Sequence, residues 1–168
     1  MTAGLRALPE LPLTFRVQLP PLVYRALNGG ASVALVGVAG GGLSNALRFL
    51  AQPAVAARSL GEGELLLVFV EADQWREAGA VYRELARALL AAVHAQQWPR
   101  AEQAALRATA ESALTSPFPQ GGTPLAEVLD HLCGGLQRRV VFFCDEFDSA
   151  LARLPATLLR TLRSLRDA

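Results

Sequence analysis

Two clusters of residues in this chain have the types and spacing that phosphate chemistry needs. The first is Gly37-Val38-Ala39-Gly40-Gly41-Gly42-Leu43-Ser44-Asn45, which follows a short apolar run and leads into helical spacing. Glycines let successive backbone N–H groups turn toward one point, and the N-terminus of the following helix adds positive partial charge. The order Gly37, four residues, Gly42, one residue, Ser44 matches G-x-x-x-x-G-K-[ST] at every fixed position except the lysine, which is Leu43. An ammonium there neutralises phosphate charge, and the hydroxyl after it binds Mg²⁺. Leucine removes the charge and sets an isobutyl group in its place. Arg48, one turn further on, is a candidate replacement, against the simpler reading of a solvated or interhelical arginine. The loop alone is also compatible with a purely structural turn.

The second cluster closes the apolar run Val140-Val141-Phe142-Phe143-Cys144 with Asp145-Glu146-Phe147-Asp148. A buried strand ending this way delivers a carboxylate at its C-terminal end. Asp145 would hold Mg²⁺ directly or through water, and Glu146 would polarise an attacking water. The plainer alternative is a solvated acidic turn, with Asp148 or Ser149 capping the next helix.

The elements that must position these clusters follow from periodicity. Residues 1–21, with Pro9, Pro12, Pro20 and Pro21, read as an extended N-terminal arm, and 22–168 as one partial domain. A short helix over 22–28 stops at Asn28-Gly29-Gly30. The run 32–36 predicts a strand buried on both faces, and 45–51 a helix. A second buried strand covers 65–70. Trp75, Ala78, Tyr82, Leu85, Leu89 and Ala92 give helical spacing from 74 to about 97, with Asp73 as its expected N-cap. An alanine-rich helix over 101–114 and a Ser/Pro/Gly loop over 115–122 follow. Thr123 then reads as an N-cap with Pro124 after it. The third strand is 140–144, and a last helix starts near Pro155. Strands alternating with helices argue for a parallel sheet in an α/β layer architecture.

Together the stretches SVALVGVAGGGLSNALRFL and RRVVFFCDEFDSALARLP resemble P-loop NTPases of the AAA type and their STAND-like signalling relatives, among them the origin-recognition-like cores. The resemblance covers roughly 22–51 and 138–168. It implies a three-layer α/β fold, a parallel sheet with helices on both faces, and ATP and Mg²⁺ as cofactors. It also implies Gly37 to Asn45 as the nucleotide-binding loop, Ser44 and Asp145 as metal ligands and Glu146 as catalytic base. Leu43 departs from the family pattern, so hydrolysis is expected to be weak or absent. In the family sheet another strand lies between the phosphate-loop strand and the acidic strand. The chain ends before it, which implies an incomplete sheet with a gap of ~10 Å. The alternative is direct pairing of 32–36 with 140–144. The same fold also hosts non-catalytic interaction modules, with another protein or further domains of a longer chain as partner. A Rossmann-type dinucleotide domain is a third reading; it tolerates Leu43 but leaves Asp145 and Glu146 unexplained.

Composition narrows the classes. The chain has 168 residues, a net charge of +1 and 52% hydrophobic residues, which gives a domain-sized core and no overall electrostatic footprint for nucleic acid. Every basic residue is arginine, so no lysine elsewhere fills the missing role. The longest apolar runs fall far short of the roughly 20 residues that span a bilayer. There is no secretory leader pattern, and two cysteines do not make a disulfide framework, so the expected setting is cytoplasmic. Cys133 and Cys144 read as small buried apolar groups. His94 and His131 lack ligand spacing.

Overall fold

Helix start and stop signals shape residues 11–60. The computed structural model describes residues 11–38, 40–60, 65–73, 75–95, 103–104, 106–108, 111, 123–135 and 139–167. The chain divides into two compact units, Met1–Glu62 and Gly63–Ala168.

In the first unit, residues 13–18 form consecutive turns leading into α1 (Leu19–Asn28). Pro20 and Pro21 lie in its first turn, where a missing N–H removes no helical bond. The helix ends in a Schellman closure. Gly30, at φ +76°, donates to the Leu27 carbonyl at 3.0 Å, and Ala31 donates to the Ala26 carbonyl at 3.0 Å. Next come α2 (Leu43–Leu50) and α3 (Pro53–Leu60). Val23, Tyr24, Phe49, Leu50 and Val55 are buried. Burial of a side chain such as Phe49 or Leu50 contributes roughly 1.5–3 kcal/mol. The Tyr24 hydroxyl donates to the Leu50 carbonyl, and burial pushes its ionisation well above the usual tyrosine range.

The second unit is built on β1 (Leu65–Glu71) and β2 (Arg139–Asp145), paired in parallel from Leu65 opposite Arg139 to Glu71 opposite Asp145. Between them run α4 (Ala78–Ala95), α5 (Thr123–Asp130) and a π-helical turn, His131–Gly135. After β2 come α6 (Phe147–Leu151) and α7 (Ala156–Asp167). Leu66, Val68 and Val70 of β1 join Val81, Leu85 and Leu89 of α4 in one core, with Val140, Phe142 and Cys144 of β2 packed against it. The alternation along each strand turns these residues to one face of the sheet. The chain is thus mixed α/β with a small parallel sheet.

Several expectations are corrected. Residues 32–36 form no strand: Val33 and Val36 are exposed, Val36 at 93%, and the two strands among the described residues pair with each other. A strand draws its hydrogen bonds from a partner, so apolar composition alone does not make one. Asp73 does not cap α4, which begins at Ala78. The backbone turns first, with Trp75 N–H bonded to the Ala72 carbonyl at 3.1 Å. Trp75 therefore lies outside the helix, 2% exposed and edge-on to Phe147 at 6.1 Å. Thr123 is the first residue of α5 rather than its cap. Cys133 is exposed: next to buried Leu132, it lies on another side of the π-helical turn. The helix expected over 101–114 is described only at 103–104, 106–108 and 111, all helical, and the 115–122 loop lies outside the described residues.

Candidate functional site

The glycine loop is set by a tight turn and a left-handed cap. Gly41 N–H bonds to the Val38 carbonyl at 2.9 Å, closing a turn over 38–41. Gly40 and Gly42 sit at φ +75° and +72°, conformations that only glycine adopts at little cost. A Cβ on Gly41 would stand 2.9 Å from the Val38 oxygen, so the turn also excludes side chains by volume. Gly42 is the N-cap of α2, and Ala46 N–H bonds back to its carbonyl at 3.0 Å. Leu43, Ser44 and Asn45 therefore form the first turn of the helix. A glycine cap brings no side-chain acceptor to these leading N–H groups.

Leu43 and Ser44 are half-buried, while Asn45, Gly37 and Val38 are exposed; Ala39 lies outside the described residues. Arg48 is half-buried in the last turn of α2, the end away from the loop. A second arginine, which the sequence did not single out, reaches the loop from upstream. The Arg16 guanidinium donates to the Gly41 carbonyl, and its Nη2 lies 3.5 Å from where a Cβ on Gly42 would stand. Its backbone has φ +44°, and its side chain covers the Phe15 ring at 5.6 Å. Phe15 in turn packs edge-on against Phe49 of α2 at 5.3 Å. No signal in the sequence pointed to Arg16, because the turns over 13–18 decide where it goes.

In the second unit the acidic cluster stands at the C-terminal end of the parallel pair. Asp145 is 5% exposed, the one buried charged residue among those described. One of its oxygens accepts the Glu146 N–H at 3.1 Å, and Ala72 N–H bonds to its carbonyl at 2.9 Å. Glu146 is exposed and left-handed at φ +54°, a conformation that costs a non-glycine residue about 1–2 kcal/mol. It is the N-cap of α6, without a side-chain cap bond, so its carboxylate is not used to start that helix. Asp148 and Ser149 lie within α6 and do not cap it. Glu71 stands opposite Asp145 in the register and points the same end of β1 toward acidic chemistry. Beside β1, Glu71, Asp73, Trp75 and Arg83 help line an open pocket of about 470 Å³, which Asp145 and Glu146 do not border.

Of the residues read from sequence, the structure places Gly37, Val38 and Gly40 to Gly42 before α2 and Leu43 to Asn45 in its first turn, in the first unit, and Asp145 with Glu146 at one strand end of the second. The described residues contain no group of three or more His, Cys, Asp or Glu arranged to hold a metal ion. No helix among the described residues is long and apolar enough to cross a membrane. Comparison of the chain with protein-family models, with curated proteins and with solved structures gave no match.

Proposed function

We propose that this chain is an ATP-binding domain of the P-loop ATPase type, AAA-like, in which Leu43 replaces the loop lysine and hydrolysis is weak or absent. One observation carries it: a glycine turn whose last, left-handed glycine caps an eight-residue helix beginning Leu43-Ser44-Asn45. The first turn of such a helix offers backbone N–H groups and the positive end of the dipole, an arrangement that receives phosphate. The residues are compatible with Mg-ATP: an added Cβ at Gly37 or Gly40 would meet nothing within 4 Å, so the backbone there is open to close approach. In this reading the Ser44 hydroxyl is the loop's ligand for Mg²⁺, which would neutralise phosphate charge, and the resemblance gives Asp145 the role of metal ligand and Glu146 that of polarising water. The two unpaired cysteines accord with a reducing, cytoplasmic setting.

Calorimetric titration of the full chain with Mg-ATP, beside Leu43→Lys, tests the proposal. Weak binding by the wild type and at least about tenfold tighter binding by the variant are expected, the scale of one charge-assisted phosphate contact. If neither protein binds at millimolar nucleotide, the ATP reading is lost.

A second reading, a non-catalytic interaction module, is favoured by Val36 and Val38, exposed at 93% and 81% just before the glycine turn. Exposed apolar side chains two residues apart would give such a module a foothold for another protein. Sedimentation showing concentration-dependent association, unchanged by nucleotide, would favour this reading over the first.

A further inference from the structure

We infer that Arg16 supplies the phosphate-binding charge that Leu43 does not, making it a binding residue for a polyphosphate anion at the glycine loop. The inference rests on the phosphate-loop reading of 37–44 and adds to it a residue far outside the motif. Three observations converge on this arginine. Its guanidinium is fixed at the loop by the bond to the Gly41 carbonyl and lies beside Gly42, the residue before Leu43. Its position is set from the core of the same unit, through Phe15 stacked edge-on to buried Phe49 of α2. No carboxylate among the described residues pairs with it.

The side chain is also within reach of a ligand. Arg16 is exposed where it meets the loop. A guanidinium carries five N–H donors, and the bond to Gly41 occupies one direction of the fork. The others can meet phosphate oxygens in the paired geometry that makes arginine a strong phosphate binder. The chemistry therefore differs from that of the usual loop. A lysine at the first helical position would bring a point charge from within the motif. Here a planar cation enters from the preceding segment and braces the loop carbonyl at the same time. Arg48, at the far end of α2, is poorly placed for this role.

Calorimetric titration of the full chain with sodium tripolyphosphate and, separately, with Mg-ATP tests the inference. The proteins compared are wild type, Arg16→Gln, Arg16→Lys and the double variant Arg16→Gln/Leu43→Lys. Glutamine keeps a donor for the Gly41 carbonyl but removes the charge, so tripolyphosphate binding is expected to weaken at least about tenfold. Arg16→Lys keeps the charge and should stay within about threefold of wild type. The double variant should recover most of the loss, because a lysine at 43 restores charge to the loop. A merely structural Arg16 would not be rescued that way. Unchanged affinity in Arg16→Gln, or no rescue by Leu43→Lys, overturns the inference. Arg16-dependent tripolyphosphate binding without ATP binding would keep the arginine site and discard the nucleotide. ATP binding indifferent to Arg16→Gln would do the reverse, and a wild type that binds neither probe removes both.

Discussion

The runs 32–36 and 140–144 are close relatives in composition: five residues each, mostly apolar, each followed by residues suited to phosphate or metal chemistry. Only the second is a strand. Its N–H and C=O groups pair with β1 along seven residues of register, and Phe143 is buried. The first leaves Val36 and Val38 facing solvent, while the loop after it still forms its turn and its helix. The comparison separates two kinds of order. A glycine turn and a capped helix are fixed by contacts within a few residues, whereas a strand exists only where a distant segment completes its hydrogen bonds.

The largest effect expected from this comparison is in the sheet. Leu66 is fully buried in β1, so Leu66→Ala should cost about 2–5 kcal/mol of second-unit stability. Urea unfolding followed by the fluorescence of buried Trp75 measures it, and a loss below about 1 kcal/mol would mean the strand core is not packed as described.

Thiol labelling compares the two runs directly. Burial pushes the Cys144 thiol up to about 11, whereas a cysteine replacing exposed Val36 should ionise near an ordinary value. In a Cys133→Ser background at about pH 8, Val36→Cys should react on the order of a hundredfold faster than Cys144, from the thiolate fractions alone. Raising the pH should keep speeding Cys144 until its thiol is ionised near 11, while Val36→Cys levels off earlier. Equal rates followed by mass spectrometry would show that both runs are equally covered.

The loop is tested next. Gly42→Ala forces a Cβ onto a residue at φ +72° and should destabilise the start of α2 by about 1–2 kcal/mol. Faster amide hydrogen exchange in α2, with β1 and β2 unaffected, is the expected readout. The smallest effect belongs to Val36→Asp. With that side chain 93% exposed, stability should change by no more than about 0.5 kcal/mol. A large loss would reveal a covered strand where the structure has an exposed segment outside any strand.

Much of the local structure was legible in the sequence. Gly29 and Gly30 end α1, the apolar runs 65–70 and 140–144 become β1 and β2, and Pro155 precedes α7. The glycine spacing anticipated a turn into a helix, and the acidic pair fell at a strand end. Other features were hidden because sequence spacing cannot express them. Trp75 fits the helical period but is held in a turn against Phe147, and Cys133 lies in an apolar stretch yet on the exposed side of its turn, beside buried Leu132. Glu146 gave no sign of its left-handed backbone.

By itself, then, the sequence determined the positions of helix ends, the glycine turn and the absence of a loop lysine, since each depends on residue type and near neighbours. Tertiary structure decided which apolar runs became strands and brought Arg16 to the Gly41 carbonyl across 25 residues of chain. Both are contacts between segments remote in sequence. Their formation depends on packing and on completing backbone hydrogen bonds, neither of which a single segment carries alone.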